Sequence, residues 1–248
     1  MNKLFNSLRK SVLPITGVVA VSVFFSACSK FDNENSNTNT PVAALMAFNL
    51  APDKPAVGIG LSGSSLTNMP LDYTNYTGGY KAIFPGTRQV EAYDYSAATP
   101  FATTSQTFVA NKYYSSFTVG AGGSYKNVVV EDKLTELDSL PAKNEGFVRY
   151  VNGITDSTNA AEVSIANGAK VINGSAAYAT VSEFQPVDTG SVTLNVKVGV
   201  NATANRTITV EKGKIYTVLL VGTPGSTDPA KGVQIKFIQN GVVTPVTQ

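Results

Sequence analysis

Ser191 to Val200 reads SVTLNVKVGV, with valine or leucine at 192, 194, 196 and 198 and Ser191, Thr193, Asn195 and Lys197 between them. Successive side chains of an extended chain point to opposite faces, so this spacing describes a strand with one buried and one wetted face. Gln89 to Tyr95 (QVEAYDY) and Arg206 to Val210 (RTITV) alternate in the same way. Clusters of Gly, Pro, Asn and Asp punctuate these segments. The single helical turn suggested, within Glu131 to Leu140, is too short to alter the class. Short alternating strands with frequent turns predict an all-β fold, a sandwich or a barrel.

Working outward, the strand pattern occurs twice. Phe108-Val109-Ala110-Asn111-Lys112-Tyr113-Tyr114, then Phe117, Val119 and Gly120, lines up with Val210-Glu211-Lys212-Gly213-Lys214-Ile215-Tyr216, then Leu219, Val221 and Gly222. Tyr80, Ile83, Gly86 and Val90 fall opposite Phe184, Val187, Gly190 and Leu194. Asn49, Asp53, Val57 and Ile59 fall opposite Asn152, Asp156, Val163 and Ile165. The shared order predicts a duplication: one β-sandwich over residues 42–132, a second over 146–248, and a linker at 133–145. Each half is close to the ~100 residues that a two-sheet sandwich needs to enclose a core. The short linker predicts repeats set end to end with little hinge freedom.

The N-terminus carries a different signal. Lys3, Arg9 and Lys10 precede the apolar run Ser11–Phe25, and Ser26-Ala27-Cys28 closes it, the order of a secretory signal peptide over residues 1–27. The run is about 15 residues, short of the ~20 that span a bilayer as a helix. Phe25-Ser26-Ala27-Cys28 resembles the bacterial lipobox, which implies that Cys28 becomes the mature N-terminus and carries lipid. Two or three acyl chains give stable anchoring where one is marginal. Residues 28–41, rich in Asn, Ser and Thr, read as a flexible tether. Asp32 and Glu34 faintly resemble the acidic export signal of Bacteroidetes surface lipoproteins, consistent with the outer membrane and leaving its two faces open. Cleavage removes three of the 19 basic residues and none of the 17 acids, so the mature chain has a net charge of −1. No basic patch for nucleic acid remains.

Ala47-Phe-Asn-Leu-Ala-Pro-Asp-Lys-Pro-Ala-Val-Gly-Ile-Gly-Leu-Ser-Gly63 resembles the opening of a bacterial family catalogued as domain of unknown function 4397. Pro52-Asp53 and Pro55-Ala56-Val57 carry the likeness; Phe147 to Asp156 keeps the strand and the Asp without the prolines. The resemblance implies tandem immunoglobulin-like sandwiches in secreted or surface lipoproteins of Bacteroidetes and similar bacteria. It brings no activity and no catalytic residues. Physically, Pro52 and Pro55 stiffen a turn, and Asp53 can accept backbone N–H bonds there.

Chemistry is sparse. The chain has no histidine, which removes His-based triads and the commonest general base, and its one cysteine is Cys28. The acids are scattered, and Gly120 to Gly123 sits between strands as a hairpin turn rather than a phosphate loop. Asp53 with Asp94, or Asp156 with Asp188, could meet at a sandwich end, yet Ca²⁺ wants six to eight oxygens and no such loop is present. No enzyme, cofactor or metal is therefore expected. Eight of the eleven tyrosines, Tyr73, Tyr76, Tyr80, Tyr93, Tyr95, Tyr113, Tyr114 and Tyr125, lie in the first repeat, where exposed rings could stack on sugars or anchor a protein. Tyr93, Tyr95, Tyr76 and Tyr80 are the candidate ligand residues. The expectation is a membrane-anchored surface module for glycan or protein; the alternative is a structural spacer or envelope assembly component.

Overall fold

The computed structural model describes residues 40–138, 144–156, 158–168, 170–200 and 202–242. The predicted signal peptide, Cys28 and nearly all of the tether lie outside the described residues. The first repeat contains β1 (Ala43–Asn49), β2 (Val57–Leu61), β3 (Ser64–Ser65), β4 (Lys81–Ile83), β5 (Gly86–Asp94), β6 (Pro100–Phe108), β7 (Tyr113–Ala121) and β8 (Ser124–Glu131). A short helix, α1 (Leu134–Asp138), follows within the predicted helical turn. The second repeat contains β9 (Glu145–Ile154), β10 (Ala161–Asn167), β11 (Lys170–Ala176), β12 (Gln185–Asp188), β13 (Gly190–Val198), β14 (Ala202–Val210), β15 (Lys214–Gly222) and β16 (Gln234–Val242).

Four four-stranded sheets result, and the two halves match strand for strand. Sheets β4-β1-β7-β8 and β3-β2-β5-β6 enclose one core; β12-β9-β15-β16 and β11-β10-β13-β14 enclose another. Neighbours are antiparallel except β1 beside β7 and β9 beside β15, which run parallel. The fold is thus all-β, with two sandwiches in tandem.

The repetition reaches individual atoms. The buried Asn49 accepts the Ala51 N–H on Oδ1 and donates from Nδ2 to the Lys54 and Leu71 carbonyls. Asn152 accepts from Ile154 N–H and donates to the Ala176 carbonyl. Tyr114 and Tyr216 each turn a hydroxyl back to accept a backbone N–H five residues upstream, from Val109 at 3.0 Å and Glu211 at 3.2 Å. Such a tyrosine corner recurs in immunoglobulin-like sandwiches. Gly120 and Gly222 sit at φ 128° and 113°, and a Cβ on either would lie 2.1 Å from a facing carbonyl oxygen. Only glycine fits both demands.

The placement of the repeats departs from expectation. They pack face to face, not end to end. In β1, Leu45 and Ala47 face the first sandwich core, while Met46 and Phe48 face the other way, followed by Leu50. In β15, Tyr216, Val218 and Leu220 face the second core, and Leu219 and Val221 face outward from it. Met46, Phe48, Leu50, Phe117 and Val119 of the first repeat then meet Val151, Leu219 and Val221 of the second in a third core. Burying each such side chain fully contributes roughly 1.5–3 kcal/mol. The central sheets are therefore covered on both sides.

Candidate functional site

The two repeats differ most in the strand that should follow β2. In the second repeat, β11 pairs with β10 residue by residue, from Lys170 opposite Asn167 to Ala176 opposite Ala161. In the first, Ser64 and Ser65 of β3 pair, the Leu66 N–H donates once more to the Ile59 carbonyl, and the chain then leaves the sheet. It returns at Leu71, whose N–H donates to the Val57 carbonyl and whose carbonyl accepts from Val57 N–H. Leu66-Thr67-Asn68-Met69-Pro70 forms the excursion. Thr67 Oγ1 accepts the Ile59 N–H at 3.0 Å, Ser65 Oγ donates to the Thr67 carbonyl, and Tyr95 Oη donates to the Asn68 carbonyl, both at 2.8 Å. Pro70 has no N–H to give a ladder, which suits it to a bulged edge. Met69 stands at the tip, 73 % exposed.

Between this excursion and residues 75–81 lies a groove of about 420 Å³, walled by Leu66, Met69, Pro70, Leu71, Tyr76 and Lys81 among others. Ligand sites commonly fall within ~300–1,000 Å³, mostly apolar with a few polar groups.

The structure divides the candidate tyrosines. Tyr76 lines the groove, its ring stacked on Phe48 at 5.5 Å. Tyr95, 37 % exposed, braces the excursion through Asn68. Tyr93 lies flat on the outer sheet face, where a Cβ on Gly58 would come within 2.3 Å of its ring. Its hydroxyl is 3.1 Å from Ser65 Oγ. A large ring covering a strand glycine is a known means of stabilising such a position. Tyr80 is half-buried: its hydroxyl donates to Asp132, and its ring packs against the third core. Burial pushes its hydroxyl well above the ordinary tyrosine range, with Asp132 adding to the shift. The four tyrosines therefore form no single platform. Two serve the groove, one covers glycine and one bonds Asp132.

Tyr125 and the acids weighed for calcium have structural partners. Tyr125 Oη donates to Asp53 Oδ2 at 2.6 Å, and the Gly122 N–H donates to the same oxygen at 2.8 Å. Asp53 thus ties the Pro-Asp turn to the β7–β8 hairpin rather than to its own turn. Burial first, then this hydrogen bond, pushes the Tyr125 hydroxyl up to about 12. Asp94 pairs with Lys54 at 3.0 Å. Asp156 accepts from Asn159 and from the N–H groups of Thr158 and Asn159, which holds its carboxyl below the usual range. Among the described residues, no cluster of three or more His, Cys, Asp or Glu gathers as metal ligands.

A second arrangement was not legible in the sequence. Arg149 on β9 is 2 % exposed and faces the first repeat. Its Nη1 donates to Asp132 Oδ1, Nη2 to Ser115 Oγ at 2.8 Å, and Nε to Thr217 Oγ1 at 2.9 Å. Ser115 Oγ donates in turn to Asp132 Oδ2 at 2.7 Å, and Tyr80 Oη donates to the same oxygen. The Phe184 ring lies against the guanidinium at 4.4 Å. Ser115 and Thr217 are equivalent positions of the two repeats, as are Tyr80 and Phe184. The duplicated positions converge on one buried ion pair at the seam. The one hint in the sequence is a lone Arg inside the apolar run GFVRYV.

Residues 146–240 match the model of a family described as a domain of unknown function, DUF4397. The match falls on the repeat without the Pro-Asp opening. No curated protein matches the chain. Similar solved structures include a candidate cell adhesion protein of Bacteroides uniformis, 13 % identical with a TM-score of 0.25, covering 80 % of this chain and 98 % of that one. Another, from Bacteroides eggerthii and described in the same words, is 11 % identical with a TM-score of 0.24, covering 81 % and 96 %. Among the described residues, no helix is long and apolar enough to cross a membrane.

Proposed function

We propose that this protein is a non-catalytic binding module of the cell envelope, anchored through lipid on Cys28, that takes a glycan or protein ligand in the groove of its first repeat. One observation carries the reading: two halves that match strand for strand part company at Leu66–Pro70, and there the first repeat gains an apolar groove walled by Tyr76 and rimmed by an exposed methionine. Excursions from a rigid scaffold are where binding residues concentrate. Methionine adapts its shape to a partner at small cost. The absence of histidine from the sequence, with its one cysteine committed to lipid, weighs against turnover.

The test uses the full-length lipoprotein extracted in detergent, screened against glycan arrays and envelope extracts beside Met69→Glu and Tyr95→Ala. Both positions are solvent-exposed, so the fold should persist. Binding should fall about ten-fold or more in each variant, since a lost hot-spot contact is worth ~1–2 kcal/mol or more. Equal binding by all three proteins would sink the groove reading and favour the structural spacer, a role for which the buried seam between repeats already supplies rigidity. Metabolic labelling with palmitate should mark the wild type and not Cys28→Ala; label on both would remove the anchor.

A further inference from the structure

Every open sheet has two edges, and an exposed edge is a template for another strand unless something blunts it. Among the described residues, seven of the eight edges are blunted. At one corner Asn127 donates from Nδ2 to the Val90 and Ala102 carbonyls, and Thr104 Oγ1 donates to the Asn127 carbonyl, which joins β8 to β5 and β6. At the equivalent corner Arg206 Nη1 donates to the Ile235 carbonyl, which joins β14 to β16. β4 has three residues, and β12 has four, one of them Pro186. β3 has two, and the excursion carrying Pro70 follows it. The eighth edge is β11, seven residues long, regular and without proline or bulge. Its sequence is KVINGSA, with one charge, Lys170, placed at its end. Val171 stands 50 % exposed on it.

We infer that β11 is an interaction edge, and that its partner is the β11 of a second copy of this chain, added antiparallel about a two-fold axis through Asn173. The strand is complementary to itself in that register. Val171 lies opposite Ser175 of the second copy, and the two Lys170 side chains fall at opposite ends of the ladder, so no like charges meet. A two-fold centred on a residue works whether its N–H and C=O point inward or outward, because an antiparallel ladder alternates the two kinds of pair. The polar row Asn173, Ser164, Asn195 and Asn205, already in register across the sheet, would continue through the axis into the second copy. A heterologous peptide has no such requirement to avoid its own charge and symmetry. The first repeat, with its excursion over the equivalent edge, cannot pair this way, so assembly stops at two.

The full-length chain has one cysteine, Cys28, so a second can report pairing. Asn173→Cys, oxidised in intact membranes, should give a disulfide-linked dimer, because opposed strand positions place Cβ atoms ~4.5–5.5 Å apart. Val171→Cys should give about ten-fold less, since its own copy lies four positions away, beyond the reach of a disulfide. Co-expressed Val171→Cys and Ser175→Cys chains should cross-link to each other. Equal yields at 171 and 173, no dimer at 173, or attachment of the thiol introduced at position 173 to a different envelope protein would each overturn the proposal. The unsubstituted chain sets the background from Cys28, and a dimer at 173 no stronger than that background counts as none.

Discussion

Arg149 shows how much one residue can depend on distant sequence. Its guanidinium is withdrawn from water by a strand whose neighbours are apolar, and every N–H it uses is met by a residue at least 17 positions away. Desolvating two ions costs several kcal/mol each, and their mutual attraction offsets this only when the geometry is complete. The pair is therefore better read as a device that fixes how the repeats meet than as a large net gain. Arg149→Met strands Asp132 without its cation and should lower stability by roughly 3–5 kcal/mol in urea unfolding, whereas adding Asp132→Leu should recover most of that loss. If the double variant is as unstable as the sum of the single ones, the coupling between the two side chains does not exist.

At the scale of elements, burial pattern separates two kinds of strand. β13 alternates buried and exposed residues because only its inner face meets a core. β7 and β15 are buried almost throughout, since each has a sandwich on one side and the other repeat on its back. Parallel neighbours covered on both faces read as unbroken apolar runs for the same reason. The seam between them is tight where β9 meets the chain just after β1. A Cβ on Gly153 would lie 3.3 Å from Leu50 Cβ, and Leu50 is the equivalent residue of the other repeat. Gly153→Leu should cost roughly 1–3 kcal/mol through overpacking, with a lowered thermal midpoint, and Leu50→Ala in the same chain should return part of it. A Gly153→Leu protein that melts like the wild type would show that the repeats are not pressed together at this point.

For the whole molecule, the third core makes two sandwiches into one four-layer body. Residues 40–242 should unfold in a single transition, with tyrosine fluorescence and far-ultraviolet dichroism coinciding, although each repeat has a core of its own. Leu219→Asp, which puts an unpaired charge into the seam and leaves both sandwich cores untouched, should separate the transitions or expose them in sequence; one coincident transition of unchanged midpoint would contradict the coupled body. Alternation, turn residues and the internal repeat are local, so strand identity, sandwich class and the paired Asn, Tyr and Gly positions could be read from the chain alone. Which faces of β1, β7, β9 and β15 pack against the other repeat is decided only in three dimensions, because an apolar run satisfies any cover equally well. The same holds for the tyrosines. Tyr93 and Tyr95 are two apart and so share one side of an extended chain, but whether a ring covers a glycine, braces an excursion, lines a groove or serves a buried carboxylate depends on what the fold brings opposite it.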